Sequence, residues 1–195
     1  FADDVGVLAW ELAGTRRAYG DRAPTDRPFF QPGSMDPLLA RAVVNLALVE
    51  SGDLVLDPMC GTGGLLLEAG LLGARPIGLD AQSKMVAGTR ANLRSALEGP
   101  PLLARGDATA LPLPDGAVDA VVVDTPYGRQ SKIATHDLKA LIRGALAEAR
   151  RVASRAVVVA DRDYESLAKD AGWTLQDRHE RRVHRSLTRH VHVLR

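Results

Sequence analysis

Asp124-Thr125-Pro126-Tyr127-Gly128 follows the most apolar run of the chain, Ala120-Val121-Val122-Val123, and sets a carboxylate, a peptide carbonyl and an aromatic ring side by side. These groups suit one kind of chemistry. An exocyclic amine on a base ring has its lone pair delocalised, and it attacks an electrophile well only when the nitrogen becomes more tetrahedral. Asp124 can accept one N–H hydrogen bond and the Thr125 carbonyl another, which together aim the lone pair. Tyr127 can stack on the base and hold it out of its helix. Pro126 and Gly128 can equally mark a plain tight turn after a strand, so the rest of the chain must decide.

Upstream stands Asp57-Pro58-Met59-Cys60-Gly61-Thr62-Gly63-Gly64, a glycine turn between an apolar strand and an apolar helix. Bare glycines let a ligand approach the backbone and meet the positive end of a helix dipole. Asp80 ends the next strand, where an acid can accept from ribose hydroxyls. Asp107, beside Ala108, can accept from an adenine amino group or hold a neighbouring turn. An adenosine ligand follows, bound by Asp57, Pro58, Cys60, Gly61, Thr62, Gly63, Asp80, Asp107 and Ala108. A dinucleotide fits poorly. The Gly-x-Gly-x-x-Gly fingerprint fails at Leu66, and Asp57 would repel a pyrophosphate. The same acid suits the ammonium or sulfonium end of S-adenosylmethionine, although it can also fix the glycine turn through backbone amides. Cys60 has no histidine near it in sequence and reads as a small buried filler.

These residues require strands to carry them. Leu54–Asp57, Ile77–Asp80, Leu102–Ala104, Asp119–Asp124 and Ala156–Ala160 read as strands, alternating with helices over Ser34 or Asp36 to Ala47, Gly64–Leu72, Met85–Leu97, Asp137–Val152 and Tyr164–Ala171. In the first helix, Leu39, Ala42, Val43, Leu46 and Ala47 form the expected apolar stripe. Val183, Leu187, Val191 and Val193 are spaced by even numbers and predict a closing hairpin of half-exposed antiparallel strands. The fold class is α/β, a mostly parallel sheet with helices on both faces and an antiparallel pair at one edge. Residues 1–30 read as a linker or packing segment, and residues 31–195 as one catalytic domain.

Composition agrees with such a domain. The 195 residues are 46% hydrophobic and 25% charged, as in soluble globular proteins. One cysteine forms no internal disulfide, and no Cys or His spacing suggests a metal site. No apolar run suits a membrane span, so a cytoplasmic protein is expected. Net charge is only +1, yet Arg178 to Arg195 holds six arginines and four histidines against Glu180. That density suits a phosphate backbone or a solvated arginine-rich edge.

The chain resembles the methyltransferase domain of archaeal and eukaryotic tRNA guanine-N2 methyltransferases that modify guanine 10. The resemblance is carried by Arg27-Pro28-Phe29-Phe30-Gln31-Pro32, Leu39-Ala40-Arg41 with Asn45-Leu46, the glycine turn, Asp124–Gly128 and His184-Arg185-Ser186-Leu187-Thr188-Arg189. It implies a Rossmann-like class I methyltransferase fold with a seven-stranded sheet, S-adenosylmethionine as cofactor, and Asp124, Thr125, Pro126 and Tyr127 as catalytic loop. It also implies tRNA phosphates held by Arg182, Arg185 and Arg189, an amino-terminal THUMP domain and, in some lineages, a small zinc-binding activator protein. The usual loop has proline where this chain has Thr125; the carbonyl that matters is kept. A DNA amine, a protein glutamine, or a non-catalytic donor-binding role would use the same motifs. Phe29 and Phe30 are expected in the core or as a stacking wall.

Overall fold

The chain was analysed as a computed structural model, which describes residues 18–127, 135–185 and 187–195. Residues 1–17, 128–134 and 186 lie outside the described residues, Gly128 and Ser186 of the quoted motifs among them. Seven strands, β1 (Leu54–Asp57), β2 (Arg75–Asp80), β3 (Leu102–Arg105), β4 (Ala120–Asp124), β5 (Ala156–Ala160), β6 (Leu175–His184) and β7 (Leu187–Leu194), form one sheet in the order β3-β2-β1-β4-β5-β7-β6. The first five run parallel, and β7 pairs antiparallel with both β5 and β6. Strand order reverses direction between β1 and β4. In such sheets ligands bind beyond the carboxyl ends at that switch point, and here those ends are Asp57 and Asp124.

Among the described residues five α-helices, α1 (Pro37–Leu46), α2 (Gly64–Gly70), α3 (Ser83–Arg94), α4 (Thr135–Val152) and α5 (Glu165–Asp170), cover the sheet. On one face, Ala40, Val43, Val44 and Ala47 of α1 and Leu65 and Ala69 of α2 bury against Val55, Val122, Val157 and Val159. On the other, Leu138, Ile142, Leu146 and Ala149 of α4 bury against Leu56, Val121, Val123 and Val158. α3 covers β2 and β3, with Leu93 against Leu66 and Leu67. Strands buried on both sides need continuous apolar runs rather than alternation, which explains Ala120–Val123 and Ala156–Ala160.

One open alternative resolves and two expectations shift. Asp36, of the two caps offered by the sequence, caps α1, accepting from the Leu38 and Leu39 amides at 2.9 and 3.3 Å. The buried stripe of α1 is Pro37, Ala40, Val43, Val44 and Ala47, while Ala42 is exposed. Small residues face inward there because α1 packs closely on both the sheet and α2. The hairpin exists, but its two strands do not share exposure evenly. β7 has a neighbour on each side and buries Val191, His192, Val193 and Leu194, whereas β6 is the exposed edge.

Ahead of α1, 3-10 turns at Gly20–Arg22 and Pro24–Asp26 lie against the domain. Arg22 grips Glu68 of α2 through two hydrogen bonds, at 2.5 and 3.0 Å, and Arg41 of α1 holds the same carboxylate at 2.9 Å. Glu68 is fully buried. Its charge is therefore tolerated only because two guanidinium groups surround it.

Candidate active site

β1 ends in Asp57, and the chain then turns through Gly61 and Gly63 at φ +52° and +78°. Left-handed φ values favour glycine. The turn is fastened from several sides. Asp80 accepts from the Gly61 amide at 3.0 Å and from the Gln82 amide at 2.9 Å. Thr89 donates to the Gly61 carbonyl at 2.7 Å, and Asn92 donates to the Thr62 carbonyl at 2.9 Å. The same Asn92 pairs with both backbone groups of Phe29 at 2.8 Å, so one buried amide ties the amino-terminal segment to the glycine turn. Ser34 and Thr62 share a hydroxyl contact at 3.1 Å.

These bonds shape a cleft. Its walls are Gln31 to Met35, Asp57, Met59, Cys60, Gly61, Thr62, Gly64, Leu65, Met85 and Asp124. Asp57, Cys60, Gly61 and Thr62, expected on the cofactor side, thus meet Asp124, expected on the target side, in one cavity. Pro58 and Thr125 instead line an apolar gap with Val123, Ile142 and Val158. Thr125 is buried, with its hydroxyl donating to the Val159 carbonyl at 3.1 Å. Asp80, at the end of β2, and Asp107, in the loop after β3, stand to one side, since the Gly106 amide donates to the Asp80 carbonyl at 3.1 Å. Asp107 is exposed and accepts from the Thr109 amide and hydroxyl on a single oxygen, at 2.8 Å each, while Ala108 is buried. Phe29 packs on Gly88, where a Cβ would fall 2.0 Å from its ring, and Phe30 is exposed rather than core.

The target loop is held by β7. The Tyr127 hydroxyl donates to Asp124 at 2.5 Å, and Arg189 Nε donates to the Tyr127 oxygen at 2.8 Å. Arg189 is buried at 5% exposure, away from the surface where a phosphate contact would lie. Arg182 and Arg185 are exposed, on β6 and in the hairpin turn.

Charge in the cleft is unbalanced toward the negative. Burial pushes the Asp57 carboxyl well above the usual carboxylate range, against the pull of the Met59 amide, and the charges of Asp124 and Asp80 push it further. Asp124 is pushed up to about 6 by burial, partly opposed by Arg189 and the Tyr127 hydroxyl. Burial also raises the Cys60 thiol, which leaves it protonated and inert as a nucleophile. A cation placed among Asp57, Asp80 and Asp124 would relieve their mutual repulsion.

Three contributors escape a reading of motifs alone. Thr89 and Asn92 are polar residues three apart on the inward face of α3, and Glu68 is the one charge inside Leu65-Leu66-Leu67-Glu68-Ala69. Buried polar and charged groups are paired, so a charge amid an apolar helix is the signal that finds Glu68. The glycine turn gives a direct check. A Cβ at Gly63 would lie 2.7 Å from Thr89 Cγ2 on a backbone at φ +78°. Gly63→Ala is expected to destabilise the chain by about 1–2 kcal/mol and to weaken donor binding at least tenfold by calorimetry. Unchanged affinity would refute the role given to this turn.

The chain is 41% identical, over 98% of its length, to the tRNA (guanine(10)-N2)-dimethyltransferase of Methanothermobacter thermautotrophicus, and spans 58% of that relative. It is 33% identical over 120 residues to a human U6 snRNA (guanine-N(2))-methyltransferase, THUMPD2, covering 60% of this chain and 24% of that one. The crystal structure of TrmN from Thermus thermophilus superposes with a TM-score of 0.69 at 27% identity, over 84% of this chain and 49% of that one. The sheet order, the switch-point cleft and this likeness make the fold that of class I methyltransferases, whose methyl donor is S-adenosylmethionine. Residues 24–191 match the UPF0020 family, and the chain belongs to it as an RMKL-like methyltransferase domain.

Proposed function

We propose that the chain transfers a methyl group from S-adenosylmethionine to the exocyclic N2 amine of a guanine in tRNA, at position 10. The observation that carries this reading is that Asp124, at the end of β4, shares one cleft with buried Asp57 and the glycine turn. The cleft fits the donor chemically. Asp57 offers a buried carboxylate to its cationic end. At Gly61 a Cβ would meet nothing nearer than the Met59 carbonyl oxygen, at 4.0 Å. Arg27, buried beside Gly64 and not itself a wall of the cleft, has Nη1 and Nη2 without hydrogen-bond partners among the described residues, and adds a cation on the Gly64 side that suits the donor carboxylate. Asp80, Asp107 and Ala108 lie on the side where the ribose and adenine would be held, with Pro58, Cys60, Thr62 and Gly63 shaping the turn.

S-adenosylmethionine supplies an electrophilic methyl group on a sulfonium sulfur. Asp124 accepts one hydrogen of the N2 amine, and the Thr125 carbonyl accepts the other, which points the nitrogen lone pair toward the cleft. The Asp124 carboxylate also faces the positive charge that develops on that nitrogen. Pro126 fixes the backbone between these acceptors, and Tyr127 stacks on the base. Formation of the N–C bond would be matched by loss of the sulfur–methyl bond, its electron pair staying on a neutral thioether, and the cationic nitrogen then loses its proton to Asp124 or to water. Arg182 and Arg185 suit backbone phosphates, which position an RNA without reading its sequence.

In this reading an amino-terminal THUMP domain and, in some lineages, a zinc-binding activator protein accompany the domain in the cytoplasm. Among the described residues no helix is long and apolar enough to cross a membrane. The relative that acts on U6 snRNA raises a second substrate for the same site. One assay separates the two. Tritiated donor incubated with unmodified tRNA, or with U6 snRNA, should place label on N2-methylguanosine after nucleoside digestion. Label on another atom, or on U6 snRNA in preference to tRNA, would overturn the assignment.

A further inference from the structure

Arg189 is an arginine expected on RNA phosphates, yet its side chain is 6% exposed and turned inward. Its contacts lie on three segments. Nε donates to the Tyr127 oxygen at 2.8 Å, Nη2 faces Asp124 Oδ2 at 3.7 Å, and Nη2 also reaches the Gly33 carbonyl at 3.4 Å. The guanidinium carbon lies 5.8 Å from the Tyr127 ring centre. Gly33 and Asp124 are both walls of the cleft. One rigid, forked cation from β7 therefore joins the amine-accepting carboxylate, the aromatic ring and the amino-terminal wall.

The Tyr127 hydroxyl donates to Asp124 Oδ1 at 2.5 Å, which leaves Oδ2 and the second lone pair of Oδ1 to accept from an incoming amine. Arg189 donates to the same phenol oxygen at 2.8 Å, so the ring stays fixed between a donor and an acceptor while Asp124 receives the amine.

We propose that Arg189 is a positioning residue of the target loop, holding Tyr127, Asp124 and the Gly33 wall in one arrangement rather than contacting RNA. The proposal rests on the amine-methylation reading for its catalytic consequence, but not for its geometry. A point-charge lysine retains the cation without the fork, so the conservative variant should recover only part of the function.

The test compares Arg189→Met and Arg189→Lys with the unaltered chain, using Arg182→Ala as the comparison for a phosphate contact. Arg189→Met is expected to lower kcat about 100-fold, with KM for tRNA within about threefold and the slope of log Kd against log salt unchanged. Arg189→Lys should regain about tenfold of kcat. The acid limb of the rate profile should move to higher pH in Arg189→Met, because removing an adjacent cation favours protonated Asp124. A kept kcat with weaker tRNA binding and a salt slope reduced by about one, the pattern of a phosphate contact, would overturn the proposal.

A second readout needs neither RNA nor methyl transfer. In the chain labelled with 13C-tyrosine, the Tyr127 ring signal, assigned through Tyr127→Phe, should shift in folded Arg189→Lys and stay fixed in Arg182→Ala. An unmoved Tyr127 signal would refute the positioning role. If the unaltered chain methylates no guanine, the substrate reading fails while this signal still decides the role of Arg189.

Discussion

Asp124→Asn is expected to lower kcat for methyl transfer by about 10²–10⁴-fold, with donor affinity by calorimetry held within a few-fold. Asparagine keeps an oxygen that can accept an N–H bond. It loses the negative charge that faces the nitrogen as that atom becomes cationic, and in a site partly closed to water this charge is the larger contribution. The pH dependence follows from the same group. With the Asp124 carboxyl pushed up to about 6 by burial, the protonated form that dominates below this pH donates rather than accepts. The single-turnover rate should therefore fall toward acid with a midpoint near 6, and Asp124→Asn should remove that limb. Rates measured between about pH 5 and 9 check both statements. A variant that turns over at the unaltered rate, or that keeps the acid limb, would place the chemistry elsewhere.

Much of this site is legible in the residues themselves. Val121, Val122 and Val123 identify a buried strand because they do not alternate, and a strand that ends in an acid followed by Thr125-Pro126-Tyr127 places that acid at the sheet's carboxyl edge. Gly61 and Gly63 reveal a bare turn because only glycine adopts their φ values at little cost. What stays hidden are contacts between segments distant in sequence. Arg189 lies 62 residues from Tyr127 and Asn92 lies 63 from Phe29, and no local period reports such a pair. The resemblance pointed Arg189 at RNA phosphates, whereas strand register turns its side chain inward: in β7, Arg189 and Val191 are buried, while its partner strand β6 faces solvent. The α1 stripe shifts in part for a related reason. Val43 and Ala47 of the expected stripe are buried and Leu39 and Leu46 pack partly buried beside them, while close helix packing brings in Ala40 and Val44 and leaves Ala42 exposed.

Glu68→Gln is expected to lower stability by about 3 kcal/mol, which for a chain of this size lowers the melting midpoint by about 6–12 °C. The fully buried carboxylate balances Arg22 and Arg41, whose side chains are only 20% and 16% exposed, and a neutral amide leaves both cations short of their counter-charge. The figure sits at the lower end for broken buried pairs because both arginines retain some access to water. The loss should reach the cleft as well. Arg22 anchors the segment that continues through Arg27, whose Nε donates to the Arg22 carbonyl at 3.2 Å, to the Gln31–Met35 wall. Donor affinity should accordingly fall with stability, and more in Arg22→Met than in Arg41→Met, since Arg41 belongs to α1 and does not tether that segment. Replacing all three with Met, Met and Leu should recover much of the melting temperature, because packed apolar groups commonly substitute for buried ion sets, yet it should not restore donor affinity, because the bidentate grip on the segment is gone. Recovery of both in the triple variant would mean that packing alone sets the wall. A Glu68→Gln chain that melts with the unaltered one would mean the cluster contributes nothing measurable.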